Sequence, residues 1–270
     1  MSVLTSAPAA GAPGLKVTQR RVVLSEWTKF RSLRSTMWTL LIALVLMIGI
    51  GALFSAVTAS QSHARGASFD PVSVSLAGTT FAVIAFGVLG VLTMSGEYAT
   101  GMIRSSLTVV PRRLPVLWAK MGVFAGVVLA VSLAASFAAF WIGQALLSGH
   151  HLGVSITSPG ALRSVIGAAL YITVSGLIGV TLGALFRNTA AGIATFTGVF
   201  FVLPPLASLL PSSVSDHLTQ YLPSNAGAAI FGGTQDVSSA LSPWTGFAVL
   251  CGYAVILITA AAWRLRRSDA

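Results

Sequence analysis

The stretch "SGEYATGMIRSSLTVVPRR", Ser95 to Arg113, separates two long apolar runs and contains one of the only two glutamates of the chain. Of the 270 residues, 55% are hydrophobic and only 8% are charged. A soluble domain of this length would need a far more charged surface to stay dispersed. We therefore interpret the chain as an integral membrane protein in which this stretch is a hydrophilic bridge between two spans.

Working outward from the bridge, six segments reach the length of about 20 apolar residues that a helix needs to cross a bilayer. None of them contains Asp, Glu, Lys, Arg or His. The sequence therefore predicts an all-α integral membrane protein with six transmembrane helices. The segments are about Met37–Val57, Val74–Met94, Met121–Leu147, Val165–Phe186, Thr189–Leu210 and Trp244–Trp263.

The basic residues set the expected orientation. Of 16 lysines and arginines, all but Arg65 and Arg163 lie in the two terminal segments, in the loop after span two or in the turn after span four. By the positive-inside rule both termini are then cytoplasmic, in a multi-pass protein of the cell membrane. This topology accounts for the net charge of +10 without a nucleic-acid partner, which we do not expect.

The segments outside the spans differ in composition. Residues 1–16 are rich in Ala, Pro and Gly and are predicted to be a disordered cytoplasmic tail. Residues 17–35 predict an amphipathic helix in the membrane interface, with Val23, Trp27 and Phe30 at helical spacing and Leu24 flanking them. The alternative is an ordinary basic flank of the first span.

The remaining boundaries follow from the spans. Pro204 and Pro205 should kink or end the fifth helix. The glycines of "GVFAG" (Gly122 and Gly126) and "GVTLG" are interpreted as helix packing, within the chain or across a dimer. The six-span domain is predicted at 36–264, with a bridge at about 95–113, an outer loop at about 211–243 and a cytoplasmic tail at 265–270.

Several kinds of chemistry have no residues to carry them. The spans offer no ionisable group for a coupling ion, which argues against a proton- or sodium-driven carrier. No Gly-Lys dipeptide occurs, so the phosphate-binding loop of ATPases is absent and we do not expect an enzyme. No catalytic residue, metal site or cofactor is predicted. Energy for transport must then come from a cytoplasmic partner protein.

The bridge has the features of such a contact. "SGEYATGMIRSSL" can form a short helix below span two, capped by Ser95 or Gly96, with Glu97 in its first turn. The side chains of Tyr98, Met102 and Ile103 would supply an apolar surface for the partner, and Glu97 and Arg104 would supply polar contacts. The alternative is a plain cytoplasmic turn, which leaves Glu97 and Tyr98 unexplained.

Two runs carry a resemblance to a known family. "LSEWTKFRSLRSTMWTLL", from Leu24, and "LTMSGEYATGMIRSSLTVVPRRLPVLWAK", from Leu92, resemble permease subunits of type-2 ATP-binding-cassette (ABC) transporters. The resemblance implies that Glu97 and Gly101 belong to a coupling helix that docks on a separate ATPase subunit. It also implies that the N-terminal helix, carrying Glu26, Trp27, Lys29 and Phe30, is the connecting helix beside it.

The resemblance also implies a mechanism and partners. Two permease copies, identical or paired with a similar chain, would enclose the path, with two ATPase subunits below and lipids around them. The apolar spans suit export of a hydrophobic or amphipathic compound. Two alternatives remain: a membrane scaffold or immunity protein that transports nothing, and an ion-coupled carrier.

Overall fold

In the computed structural model, residues 19–61, 70–99, 113–232 and 241–267 are described, and their regular structure is helical throughout. Six helical stretches are long and apolar enough to cross a membrane, as predicted. They are Arg34–Ser60, Thr79–Ala99, Leu114–Ser148, Ala161–Phe186, Thr189–Ala207 and Pro243–Arg267. The helices are α1 Gln19–Ser32, α2 Arg34–Ser60, α3 Pro71–Ser75, α4 Thr79–Ala99, α5 Arg113–Ser148, α6 Ala161–Phe186, α7 Thr189–Thr197, a π-helical turn Gly198–Val202, α8 Leu203–Ala207, α9 Ser212–Thr219, α10 Pro223–Ala228 and α11 Pro243–Arg267.

Helix α6 is the centre of the bundle. Its most apolar window is 78% buried, against 28% for α2 and 22% for α11. Helix α4 packs along most of α6, and α5, α7 and α11 also contact it. A helix that is apolar on every side is expected at the interior of a membrane bundle, with partly buried helices around it.

Glycines allow α4 and α6 to touch backbone to backbone. A Cβ atom at Gly179 would lie 2.3 Å from the carbonyl oxygen of Gly87, and one at Gly183 would lie 2.6 Å from that of Val91. The "GVTLG" motif therefore packs within the chain. The two glycines of "GVFAG" do not, because a Cβ at Gly122 or Gly126 would meet no described atom within 4 Å.

The predicted second span, Val74–Met94, is wrong at its start. The short helix α3 occupies Pro71–Ser75, and a turn at 76–78 separates it from α4. Asp70 caps α3: its carboxylate accepts from the Val72 N–H at 3.0 Å and from the Ser73 hydroxyl at 2.6 Å. The turn fits closely, since a Cβ at Gly78 would lie 2.1 Å from the carbonyl oxygen of Met47.

The two prolines of the fifth span lie beside a change in its hydrogen bonding. The helix changes to π-helical hydrogen bonding at Gly198–Val202, just before Pro204 and Pro205, and ends at Ala207. Proline lacks an N–H, so the regular α-helical ladder cannot be completed across the pair. A π-helical turn immediately before them relieves this mismatch.

The end of the bundle opposite α1 is held by a buried amide. Gln144 of α5 donates to the Pro71 carbonyl oxygen and to the Ser75 hydroxyl, both at 3.0 Å, and its own oxygen accepts from the Val154 N–H at 2.8 Å. The polar group that stands inside the third span is therefore paired with α3 and the following loop. Beyond α8, the predicted outer loop contains α9 and α10.

We expect Gly179→Ala to destabilise the bundle, because its new Cβ would overlap the Gly87 carbonyl oxygen and force α4 and α6 apart. Overpacking of this kind costs about 1–3 kcal/mol of unfolding free energy. The matched control is Gly122→Ala, whose Cβ enters open space in the chain. Thermal unfolding in detergent measures both; equal midpoints for the two variants would contradict the close α4–α6 contact.

Candidate functional site

The site lies at the α1 end of the bundle, which we define as the region where α1, the last turn of α4 and the first turns of α5 meet. One stripe of α1, spaced four residues apart, faces the bundle: Val22, Glu26 and Phe30 are buried. The Phe30 ring packs edge-on against Phe124 of α5 with 6.3 Å between centroids. The prediction that Phe30 belongs to the membrane-facing side of this helix is therefore wrong.

The other side of α1 agrees with the amphipathic prediction. Val23, Leu24 and Trp27 are exposed in the chain. In a membrane protein, exposed apolar side chains beside the first span are suited to the lipid interface. Helix α1 thus presents one apolar face outward and a mixed face, which includes a carboxylate, inward.

The end of α4 also differs from the prediction. Neither Ser95 nor Gly96 caps a separate helix, because α4 runs unbroken from Thr79 to Ala99. Residues three or four apart on a continuous helix lie on the same face. Glu97 therefore shares the buried face of α4 with Met94, three residues before it. Glu97 is 8% exposed.

Four charged side chains, which we call the ion network, join three helices at this point. Lys120 Nζ of α5 lies 2.8 Å from Glu26 Oε2 of α1 and 2.8 Å from Glu97 Oε1 of α4. Lys29 Nζ of α1 lies 2.8 Å from Glu26 Oε1 and 3.2 Å from Glu97 Oε1. Two carboxylates and two ammonium groups make the network neutral as a whole.

Burial makes the network interdependent. Glu26 and Lys120 are each 4% exposed. A buried charge is tolerated only when it is paired, and removing one partner leaves the other uncompensated in a medium of low dielectric. Among the described residues, Glu97 Oε2 is buried and has no hydrogen-bond donor. One carboxylate oxygen of the network is thus left without a partner there.

The network shifts the pKa values of its α1 members. Burial alone would raise the pKa of Glu26, but the ammonium groups of Lys120 and Lys29 outweigh it and hold the pKa below its usual value. Burial alone would lower the pKa of Lys29, yet hydrogen bonding to Glu26 and the charges of Glu97 and Glu26 raise it. Both shifts favour the charged forms.

The last turn of α4 makes further contacts with other helices. The Ser95 and Thr189 hydroxyls lie 2.9 Å apart, which links α4 to the start of α7. The guanidinium of Arg187 lies over the Tyr98 ring, 5.2 Å from its centroid. Arg264 of α11 donates to the Leu185 carbonyl oxygen at the end of α6. The last turn of α4 is therefore linked to the segment that joins α6 and α7, and the end of α6 is linked to α11.

The predicted site residues divide into two groups. Glu26, Lys29, Phe30, Glu97 and Tyr98 come together at the α1 end, while Trp27 lies on its outer surface. The predicted contact of Glu97 and Tyr98 with an ATPase stays a prediction; within the chain both side chains contact other helices. The other predicted residues, Gly101, Met102, Ile103 and Arg104, lie outside the described residues.

Sequence reasoning missed Lys120. It was counted with the basic residues of the loop after span two, whereas the structure places it inside α5 and buries it. A signal was available: the chain has only two glutamates, one in the predicted N-terminal helix and one just after the second predicted span, and Lys120 directly adjoins an apolar run. A lysine so placed needs an acidic partner, but the sequence does not say which.

A cavity of about 470 Å³ adjoins the ion network. It lies between α1, the start of α2, the second half of α4 and the start of α5. Its walls are mostly apolar, and the four members of the ion network line one side. The volume is within the range of about 300–1,000 Å³ that is usual for small-molecule sites.

We expect Lys120→Met to lower the unfolding free energy by up to about 3–5 kcal/mol, because two buried carboxylates are then left with only the Lys29 ammonium between them. Adding Glu26→Gln and Glu97→Gln to it removes those charges and should recover most of the loss. Thermal unfolding in detergent measures the series. A triple variant no more stable than Lys120→Met would show that these charges do not depend on one another.

The same network predicts a stability plateau in pH. Because the pKa of Glu26 is lowered from 4.5, its contribution is present above that value and is lost as pH falls through the folded pKa. Because the pKa of Lys29 is raised from 10.5, its contribution is present below that value and is lost as pH rises through the folded pKa. Unfolding midpoints against pH should show both limbs, and Glu26→Gln should flatten the acid limb; an unchanged acid limb would contradict the assignment.

The family comparison agrees with this geometry. A family model described as ABC-2 family transporter protein matches residues 22–206. The match begins in α1 and extends through the fifth span, so it includes all four members of the ion network. A search of curated proteins finds no significant match. Six helices of membrane-spanning length and a match over more than half of the sequence show that the chain is a multi-pass membrane permease of the ABC-2 transporter family.

Proposed function

We propose that the chain is the membrane-spanning subunit of an exporter, working as a dimer with two copies of a separate ATPase subunit. Members of the ABC-2 membrane family work with ATPase subunits. The sequence has no phosphate-binding loop of its own. ATP hydrolysis therefore belongs to the partner, and the chain itself is not an enzyme.

The observation that carries the proposal is the ion network. Glu97 lies within the bridge, in the last turn of α4, and Lys120 lies two turns into α5, which begins at Arg113, the last residue of the bridge. The Lys120 ammonium group lies 2.8 Å from a carboxylate oxygen of Glu97 and 2.8 Å from one of Glu26 on α1. A force applied to the bridge would therefore reach α1, α4 and α5 together rather than bending one helix.

The rigidity of α4 extends this coupling along the bundle. Its close packing on α6 through Gly179 and Gly183 leaves little room for sliding. Packed helices transmit small displacements as rigid bodies. In this mechanism, closure of the ATPase subunits displaces the bridge and α1, and the joined helices open the path to the other side.

Orientation and cargo complete the proposal. The excess of basic residues at the α1 end supports a cytoplasmic position for that end and for both termini, in a protein of the cell membrane. The predicted spans contain no charged residue. A hydrophobic or amphipathic compound suits such a path better than a hydrophilic ion does.

We expect the triple variant Glu26→Gln, Glu97→Gln, Lys120→Met to assemble with the ATPase subunit but to lose ATP-dependent transport by about tenfold, within the usual range of coupling energies. The reason is that folding no longer needs the charges, while the mechanical link through them is gone. The ATPase that co-purifies with the chain supplies the partner. Transport of fluorescent amphiphiles and ATP hydrolysis are measured in the same proteoliposomes.

The control is Arg266→Gln, which removes an exposed charge from the last turn of α11. It should leave both rates unchanged. Wild-type transport in the triple variant would contradict the role of the ion network. A wild-type complex that transports no amphiphile, with an ATPase rate that no amphiphile alters, would instead support a membrane scaffold.

A further inference from the structure

The cavity beside the ion network has an incomplete set of hydrogen bonds. The Glu97 side chain is 9% exposed, and its Oε2 atom has no donor among the described residues. Glu97 also lines the cavity. A buried carboxylate oxygen without a donor is costly, so a bound group that donates a hydrogen bond to it is favoured. Because Oε2 has almost no accessible surface in the free chain, the Glu97 carboxylate must turn toward the cavity to receive that bond.

Three hydroxyl groups that line the cavity already use their protons within the chain. Ser32 donates to the Lys29 carbonyl oxygen at 3.0 Å, Thr39 to that of Ser35 at 2.9 Å, and Thr93 to that of Leu89 at 2.7 Å. Each hydroxyl has one proton, which is already used within its own helix. These three groups therefore offer a ligand only their oxygen lone pairs, which suits a ligand that brings donors.

The charges exclude an ionic ligand. The two carboxylates and two ammonium groups of the ion network balance one another, and a further charge in this mostly apolar cavity would have no counter-ion. A neutral head with hydroxyl donors meets both conditions. Water could donate to Glu97 Oε2, but water does not fill the apolar remainder of a cavity favourably.

The rest of the cavity suits an acyl chain. Leu89 and Val123 form part of its wall, and the exposed side chains of Leu33 and Leu92 form its rim. Leu33 directly precedes α2 and Leu92 lies on α4, and both helices are of membrane-spanning length. An acyl chain could therefore enter directly from the lipid phase between these two helices.

We propose that this cavity binds a neutral amphiphile whose hydroxyl head donates a hydrogen bond to Glu97 Oε2 and whose single acyl chain lies against α4 and α5. The site deepens the proposed function, on which the identification of this amphiphile as cargo rests. Binding itself requires only the chain, and it places the ligand head on the ion network that links the bridge to α1.

The test uses the full chain in phosphatidylcholine nanodiscs without any ATPase. The probe is a monoacylglycerol with a photoreactive diazirine in its acyl chain, and labelled peptides are mapped by mass spectrometry. We expect labels on α4 and α5 near the cavity, removed by excess unlabelled monoacylglycerol. The matching fatty-acid methyl ester, which has no donor, and the matching long-chain amine, which is cationic, should label the same peptides at least about tenfold less.

Two pairs of variants sharpen the test. Gly96→Leu fills the cavity from its wall, since a Cβ at Gly96 meets no described atom within 4 Å, and should reduce labelling about tenfold. Its control is Gly252→Leu, at an equally open helical glycine that does not line the cavity. Thr93→Val removes one acceptor oxygen at nearly constant volume, and Thr259→Val, whose hydroxyl also donates to its own helix, is its control.

The outcomes separate the site from the transport proposal. Equal labelling by the methyl ester, preference for the amine, or full labelling in a Gly96→Leu variant with a wild-type unfolding midpoint would each overturn the proposed site. The transport proposal would stand if ATP-driven transport persists in any of these cases. Specific monoacylglycerol labelling in a chain whose complex transports nothing would support the site and overturn the proposed function alone.

Discussion

The ammonium group of Lys120, held between Glu26 and Glu97, is the constraint on which the α1 end of the protein depends. A lysine that is 4% exposed needs acidic partners, and these come from two other helices. These ion pairs constrain the arrangement of the helices. Helix α1 must lie beside the start of α5, and α4 must continue past Ser95 so that Glu97 can contact Lys120. The bridge therefore leaves α4 from a rigid point.

The second constraint is backbone contact in the bundle interior. Glycines at Gly179 and Gly183 bring α6 against α4, where side chains of any size would clash with the carbonyl oxygens of Gly87 and Val91. Dispersion contacts, rather than exclusion of water, hold such helices together in lipid, so close approach matters more than hydrophobicity. At the opposite end, Gln144 of α5 forms hydrogen bonds to α3 and to the loop after α5. It joins these segments as the ion network joins the helices of the α1 end. Polar contacts thus join the helices at both ends of the bundle, and close glycine contacts between α4 and α6 join them in its interior.

These two constraints give the candidate site its character. The network is electrically neutral and internally paired, except at Glu97 Oε2, and the cavity beside it is mostly apolar. A permease of this family needs to respond to a partner at one end and to release a compound elsewhere. In the proposed mechanism and at the proposed site, one carboxylate, that of Glu97, both transmits motion and holds the amphiphile, so occupancy of the cavity and the position of the bridge would act on the same group.

The amino-acid sequence by itself determined the all-helical membrane class and the six spans, because runs of about 20 apolar residues have no other stable arrangement. It did not determine the role of Lys120, the unbroken course of α4 through Ser95 and Gly96, the inward position of Phe30 or the break before Thr79. Those features depend on which helix lies against which, and only the tertiary structure decides that, because pairing of buried charges and close backbone contact act between residues far apart in the chain.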